Sequence, residues 1–363
     1  MRFLQTGDSR PDPQCTPGDF MSSPLPNLTQ AVARVARGRE HAEDLSLEEA
    51  QSLFALWLAD EIPEITAGAL WAAYRIKGES VDELRGFVSA SEAGLKTLTL
   101  DSPYRPIVFP SYNGARRGAN LLPLLALILA RCGLPVLVHG PAESTAENVV
   151  ALRDHDPSGR VHSAQIFAAF GLPIASDGDQ ASAHLRRWGL CYLPIGQLHP
   201  GIDRMLRIRQ QLGLRSSVHT VVKLINPFLI PAVHCAGVTH PPYLERLQAF
   251  FTATARSALC LRATEGEPFA NPKRRPDLYA CAAGNRFLQI PKEVAPLSRI
   301  PALPEDHSAS ATCRFMAQVL AGHTPLPAPL ADQAACLLSL GGRCADLESA
   351  RTLLFQTLSH NTA

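Results

Sequence analysis

The chain has 363 residues, a formal net charge of +1, and 46% apolar against 18% charged residues. That is the composition of an ordinary soluble globular protein, long enough for one large domain or two smaller ones. It excludes a chain that is basic throughout, although the 34 Lys and Arg residues can still gather on one face.

Residues 1–25 are rich in Pro, Ser and Asp and predict a flexible tail. Helical signals follow. Ser46 with Glu49 forms a capping-box pattern ahead of Ala50, Leu53, Phe54 and Trp57, which recur at helical spacing. A second helix is predicted from Pro63 to Ile76, ending near Gly78, and a third begins at Ser80. Residues 26–95 therefore read as a small all-helical domain. At Pro106 the pattern changes to a short buried strand, a loop over 111–118, a helix over 119–132 and a second strand over 134–138. This order is a βαβ unit of a parallel sheet. Similar alternation around Val218–Ile225, Ala232–Val238 and Leu259–Arg262 extends it. Residues 265–310 are Pro-rich and predict a long surface excursion, and the final 50 residues return to helix. The expected fold class is α/β: a small all-helical N-terminal domain plus a larger α/β domain, 96–363, with a mostly parallel central sheet.

Nine cysteines, at positions 15, 132, 191, 235, 260, 281, 313, 336 and 344, form no C-x-x-C pair and no zinc-site spacing. They read as small hydrophobes in a reducing cytoplasm. The N-terminus lacks a signal-peptide pattern. The longest apolar run, Leu121 to Leu129, contains Pro123 and is too short to span a bilayer. A cytoplasmic protein with no membrane contact is expected.

Four stretches, in order and at matching spacing, resemble anthranilate phosphoribosyltransferases. Arg75-Ile-Lys77-Gly78-Glu79-Ser80-Val-Asp-Glu83 is similar to that family's R-x-K-G-E-[ST]-x-x-E. Asn120 through His139-Gly140 follows its segment from N-I-S-T to K-H-G. Trp188-Gly189-Leu-Cys-Tyr-Leu, then His199-Pro-Gly and Arg209-Gln-Gln-Leu-Gly, form the third stretch. Leu224-Ile-Asn226-Pro227 is the fourth. The resemblance covers roughly residues 30 to 355. It implies a nucleoside phosphorylase or phosphoribosyltransferase type of fold, with part of 178–212 packed on the helical domain. It also implies a homodimer through that domain, and phosphoribosyl pyrophosphate with Mg²⁺ in the cleft between domains.

The donor chemistry of that family is missing here. Its glycine-rich G-T-G-G-D loop offers backbone N–H groups to pyrophosphate. The corresponding residues are Pro110-Ser111-Tyr112-Asn113-Gly114, in which Pro110 has no N–H and Gly114 stands at the carboxylate position. The Thr of N-I-S-T is Pro123, and only Asn120 remains. K-H-G-N-R becomes Val138-His139-Gly140-Pro141-Ala142, losing Lys, Asn and Arg. A vestigial donor cleft of Asn113, Gly114, Asn120, His139, Gly140, Ser144, Thr145 and His199 is left. The metal-binding D-E pair is Gly266-Glu267 with Glu265 beside it, so Glu265 and Glu267 are weak candidates for a metal and no cofactor is expected. Mg²⁺ enters only if phosphoribosyl transfer survives. Each lost charge-assisted hydrogen bond removes about 1.5–3 kcal/mol, so no catalytic residue is assigned.

Ser111-Tyr112-Asn113-Gly114-Ala115-Arg116-Arg117, the Val-His139-Gly140 loop and Arg262-Ala-Thr264-Glu265-Gly266-Glu267-Pro268 resemble the YbiB branch of the superfamily. That resemblance implies binding of DNA or RNA, largely independent of sequence, with little or no transfer. The corresponding candidate residues are Arg116, Arg117, Arg204, Arg207, Arg209, Arg215, Lys223, Lys273, Arg274 and Arg275 for phosphates, and Tyr112 for stacking on a base. At each position a plainer reading competes: solvated loop charges, helix ion pairs with acids such as Asp203, and buried structural histidines. A phosphoribosyltransferase with an altered donor site is the alternative function.

Overall fold

The computed structural model describes residues 27–142, 159–295 and 302–359. The expected tail, 1–25, lies outside them. Among the described residues the first four elements are helices: α1 (Leu28–Val35), α2 (Leu47–Ala59), α3 (Glu64–Lys77) and α4 (Val81–Ala93). Ser46 and Ser80 each accept a bond from the backbone N–H of a glutamate three residues on, and that glutamate caps back, so α2 and α4 both start on complete capping boxes. Their partners are Phe54, Trp57, Trp71, Tyr74 and Phe87, an aromatic core in which Phe54 and Phe87 stack at 4.5 Å between ring centroids.

The chain then enters the α/β part: β1 (Ile107–Pro110), α5 (Leu122–Arg131), β2 (Val136–Gly140), α6 (Ser163–Phe170), α7 (Gly178–Trp188) and β3 (Leu190–Pro194). Next come α8 (Ile195–Leu198), α9 (Pro200–Leu212), α10 (Val218–Val221), β4 (Val233–Val238), α11 (Pro241–Ala253) and β5 (Ser257–Arg262). An antiparallel hairpin, β6 (Leu278–Ala282) and β7 (Asn285–Ile290), precedes α12 (Ala309–Leu320), α13 (Ala328–Leu340) and α14 (Leu347–Ser359). The seven strands form one sheet in the order β3-β2-β1-β4-β5-β6-β7, parallel through the first five.

The period-two alternation of strand side chains divides the core. Val108, Leu137, Leu193, Ala236 and Ala258 face the layer that includes the helical domain. Ile107, Phe109, Val136, Val138, Leu259 and Leu261 face α5, α6, α12, α13 and α14. Both faces are covered, as a parallel sheet requires. β1 has β2 on one side and β4 on the other, so the chain reverses direction across the sheet there. The crevice outside the C-terminal ends of strands at such a switch point is where open α/β sheets hold ligands.

Two sequence expectations are corrected. Val218–Ile225 is not a strand but α10 and a turn: the N–H groups of Val221 and Val222 bond four residues back to Ser217 and Val218, and those of Lys223 and Leu224 three residues back to Thr220 and Val221. Residues 265–310 are not only a surface excursion, since they contain the β6–β7 hairpin. Ala283 and Gly284 both take positive φ at its turn, the geometry of a two-residue hairpin loop.

Candidate functional site

A cleft of about 600 Å³ opens at the switch point. Its walls come from α3 and the start of α4 on one side and from the loops after β1, β4 and β5 on the other. Six cations line it, Arg75, Arg116, Arg117, Arg160, Arg215 and Lys223, against two acids, Glu79 and Glu265. The lining therefore carries a formal excess of four positive charges, in a chain whose total is +1.

The loop after β1 is held by carboxylates of the chain itself. Thr264 and Glu267 pair across a tight turn in which Glu265 (φ 54°) and Gly266 (φ 99°) are both left-handed. The turn projects two carboxylates onto residues 111–117. Glu267, fully buried, accepts the backbone N–H groups of Asn113 and Gly114, each at 2.7 Å, on one oxygen and the Ser111 hydroxyl at 2.6 Å on the other. Glu265 accepts the N–H groups of Arg116 at 3.1 Å and Arg117 at 2.9 Å. Backbone N–H groups clustered in this way form an anion nest, and here Glu267 is the anion. Arg160 and Arg215 brace the loop further: Arg160 donates to the Gly114 carbonyl at 2.9 Å, and Arg215 donates to Asn113 Oδ1. The guanidinium groups of Arg116 and Arg117 have no partner among the described residues and stand exposed at the cleft.

Deeper in, Lys223 is 6% exposed and donates to the Gly237 carbonyl at 2.7 Å. Burial and then the neighbouring Arg215 lower its pKa to about 8, against a smaller opposing pull from Glu267. Burial, with Arg209, Arg160 and Arg75 nearby, lowers Arg215 to about 10. The mutual depression marks a site in which positive charge is crowded and short of counter-charge.

Of the sequence-predicted phosphate contacts, Arg116, Arg117, Arg215 and Lys223 come together in the cleft and the others do not. Arg204 donates to the Leu58 carbonyl at 2.7 Å and pairs with Asp60, pinning α9 to α2. Arg207 pairs with Asp203 one turn back. Arg209 is an exposed neighbour of Arg215 outside the lining. Arg275 is tied to Asp332 of α13, Arg274 donates to the Glu293 and Val294 carbonyls, and Lys273 is exposed beside them. Tyr112 is also corrected: it is 8% exposed, and its hydroxyl meets His139 Nδ1 at 2.7 Å inside the core, so its ring is closed to any base. Of the two tyrosines that line the cleft, Tyr74 is buried and Tyr243 is half-buried, its hydroxyl accepting from Arg75 at 2.7 Å.

The vestigial donor residues do structural work. Asn113 joins Gly266 and Arg215, and Gly114 supplies a left-handed φ of 61°. Asn120 and Ser163 extend a buried polar chain from Ser111 and Glu267. His139 is fully buried, and burial lowers its pKa to about 3. Gly140 has no room for a side chain, since an added Cβ would meet the Ser111 carbonyl and the Tyr192 hydroxyl. His199 caps α9 through the Ile202 N–H and packs on Gly94. Ser144 and Thr145 lie outside the described residues. Glu265 and Glu267 direct their oxygens at backbone N–H groups, and no cluster of His, Cys, Asp or Glu among the described residues is arranged to hold a metal ion.

Comparison with known proteins agrees with this scaffold. Residues 29–91 match the family model for the glycosyl transferase family helical bundle domain. The protein YbiB of Escherichia coli K12 is 36% identical over 320 residues, which is 87% of this chain and 95% of that one. The chain belongs to the anthranilate phosphoribosyltransferase superfamily, in its YbiB-like branch. Anthranilate phosphoribosyltransferase of Synechococcus sp. JA-3-3Ab is 26% identical over 247 residues, 67% of each chain. The solved anthranilate phosphoribosyltransferase of Thermus thermophilus superposes with a TM-score of 0.70 at 18% identity, over 92% of this chain and 94% of that one, which establishes the fold. No helix among the described residues of this YbiB-like chain is long and apolar enough to cross a membrane.

Sequence reasoning missed Arg75, Arg160, Ser216, Ser217 and Tyr243, which reach the cleft from four separate places in the chain. One signal was available: Arg75 opens the same string, Arg75 to Glu83, that carries the family resemblance.

Proposed function

We propose that this protein binds nucleic acid, DNA or RNA, in its basic cleft, largely without regard to sequence and with little or no phosphoribosyl transfer. The observation that carries the reading is the occupation of the donor loop by Glu267. Its carboxylate takes the Asn113 and Gly114 N–H groups that a pyrophosphate would need, while the neighbouring Arg116 and Arg117 side chains have no partner among the described residues and stand at the cleft. Cations spread along an open rim suit a polyanion whose phosphates repeat. Tyr243, whose ring carries the Arg246 guanidinium at 5.2 Å on one face, would stack a base on the other.

A homodimer through the helical domain goes with this reading. Ile65, Ala69, Ala72 and Ile76 fall on one stripe of α3, with Ile65 89% and Ile76 62% exposed. Ile65→Asp should yield a monomer in sedimentation if that stripe is the interface. A cytoplasmic location, no membrane contact and no resident cofactor complete the proposal.

The second reading is a phosphoribosyltransferase of the same superfamily with an altered donor site. It is favoured by the position and size of the cleft, which suit a small molecule. One preparation separates the two. Fluorescence anisotropy with labelled single- and double-stranded oligonucleotides at low salt should show binding, and calorimetry with phosphoribosyl pyrophosphate and Mg²⁺ should show no heat. The reverse pair of results favours the transferase.

A further inference from the structure

The rim and the floor of the cleft differ in kind. Arg75, Arg116 and Arg117 at the rim are exposed, as a surface that follows a long strand should be. The floor is the segment 215–223. Ser216 is 7% and Ser217 2% exposed, both line the cleft, and neither hydroxyl has a hydrogen-bond partner among the described residues. A buried hydroxyl without a partner costs on the order of 1–3 kcal/mol, and native proteins carry few of them. Two adjacent ones, between the exposed Arg215 guanidinium and the buried Lys223 ammonium, form a prepared set of donors. Arg215 spends one donor nitrogen on Asn113, and Lys223 makes one bond to Gly237, so each has N–H groups to spare.

Ser216, Ser217 and Lys223 lie too deep for a continuous strand to cross, but the end of one can reach them past Arg215. An internal phosphodiester carries one charge and two free oxygens. A terminal phosphomonoester carries nearly two charges and three free oxygens, a closer match to two cations and two hydroxyls. We propose, building on the nucleic-acid reading above, that Arg215, Ser216, Ser217 and Lys223 form a subsite for the terminal phosphomonoester of a nucleic acid strand, while the rim arginines hold the phosphates that follow. The hydroxyls would supply geometry and the cations charge, as in other charge-assisted phosphate contacts.

The test is a binding titration of the full chain with one single-stranded oligonucleotide in three forms: 5′-phosphorylated, 3′-phosphorylated and unphosphorylated. At least one phosphorylated form should bind about tenfold or more tightly than the unphosphorylated one. In the Ser216→Ala/Ser217→Ala double variant that ratio should fall toward one. In Arg116→Ala/Arg117→Ala every form should weaken while the ratio persists. Equal affinity for all three forms would overturn the subsite and leave the nucleic-acid reading standing, and no binding of any form would overturn both. A nucleoside monophosphate that competes as well as the phosphorylated oligonucleotide would overturn the end-reading role, because the rim would then add nothing. The comparison of oligonucleotides on unaltered protein holds even if the serine variant fails to fold.

Discussion

Glu267 is the buried anchor of the loop that borders the cleft. Its carboxylate is buried, which is costly unless its lone pairs are filled, and Asn113 N–H, Gly114 N–H and Ser111 Oγ–H fill them. Removing it leaves two buried N–H groups without acceptors. Glu267→Ala should therefore lose about 2–6 kcal/mol in urea unfolding, and Glu267→Gln, which keeps one acceptor oxygen, should lose less. Wild-type stability for the alanine variant would show that the carboxylate does not hold the loop. Two buried histidines, His139 and His234, and the half-buried His219 make a second prediction at this scale. Burial lowers His139 and His219 to about 3 and His234 to about 4, with His234, Arg215 and Arg256 respectively the next cause. Unfolded, each binds a proton near pH 6.5. Between pH 6.5 and about 3 the unfolded chain therefore holds more protons, and stability falls as pH falls. Above pH 6.5 these residues contribute no slope. The urea midpoint should drop steadily below pH 6.5 as the unfolding free energy falls by several kcal/mol, and a midpoint flat from pH 7 to 4.5 would contradict it.

At the scale of the element, the string Arg75 to Glu83 shows how a family signature becomes a joint. Glu83 is fully buried and accepts from Ser80 N–H at 2.8 Å, Leu45 N–H at 3.0 Å, Tyr74 hydroxyl at 3.1 Å and Lys77 at 2.6 Å. Glu79 reaches Arg246 of α11 at 2.7 Å, and that guanidinium fills the space a side chain on Gly78 would need. One turn thus ties α3, α4 and α11 together and positions Tyr74 and Arg75 at the cleft. Breaking such a buried pair costs about 3–5 kcal/mol, so Glu83→Ala should unfold at markedly lower urea, and an unchanged midpoint would refute the joint. These elements were legible because their signals are local: capping serines for α2 and α4, and a bounded apolar run for β1. The segment Val218–Ile225 misled because five apolar residues in eight fit either period until the backbone hydrogen bonds are known. The β6–β7 hairpin was hidden because β7 is largely exposed and its turn is Ala-Gly, not Asn-Gly. For the site, Arg116, Arg117, Arg215 and Lys223 could be found by family register. Tyr112 was misplaced because the sequence of a loop does not say which of its side chains turn inward.

For the molecule as a whole, the telling quantity is where the charge sits. A net charge of +1 gives no long-range pull on a polyanion, yet six of the 34 cations meet in one cleft against two acids, and both acids are already engaged. Binding to single strands should then respond to salt as a local contact count, not as a net charge. Each neutralised phosphate contributes about −0.7 to the slope of log K against log salt. Six contacts would set a limit of about −4, and a strand touching only part of the lining would fall between roughly −2 and −4. Arg116→Ala/Arg117→Ala should reduce the magnitude by about 1.4, two contacts' worth. Substituting Lys273 and Arg274, which stand outside the cleft, should leave the slope alone. Anisotropy titrations over a range of salt concentrations give all three values. A slope near zero, or an equal loss from the two double variants, would mean that the cleft is not where the strand binds.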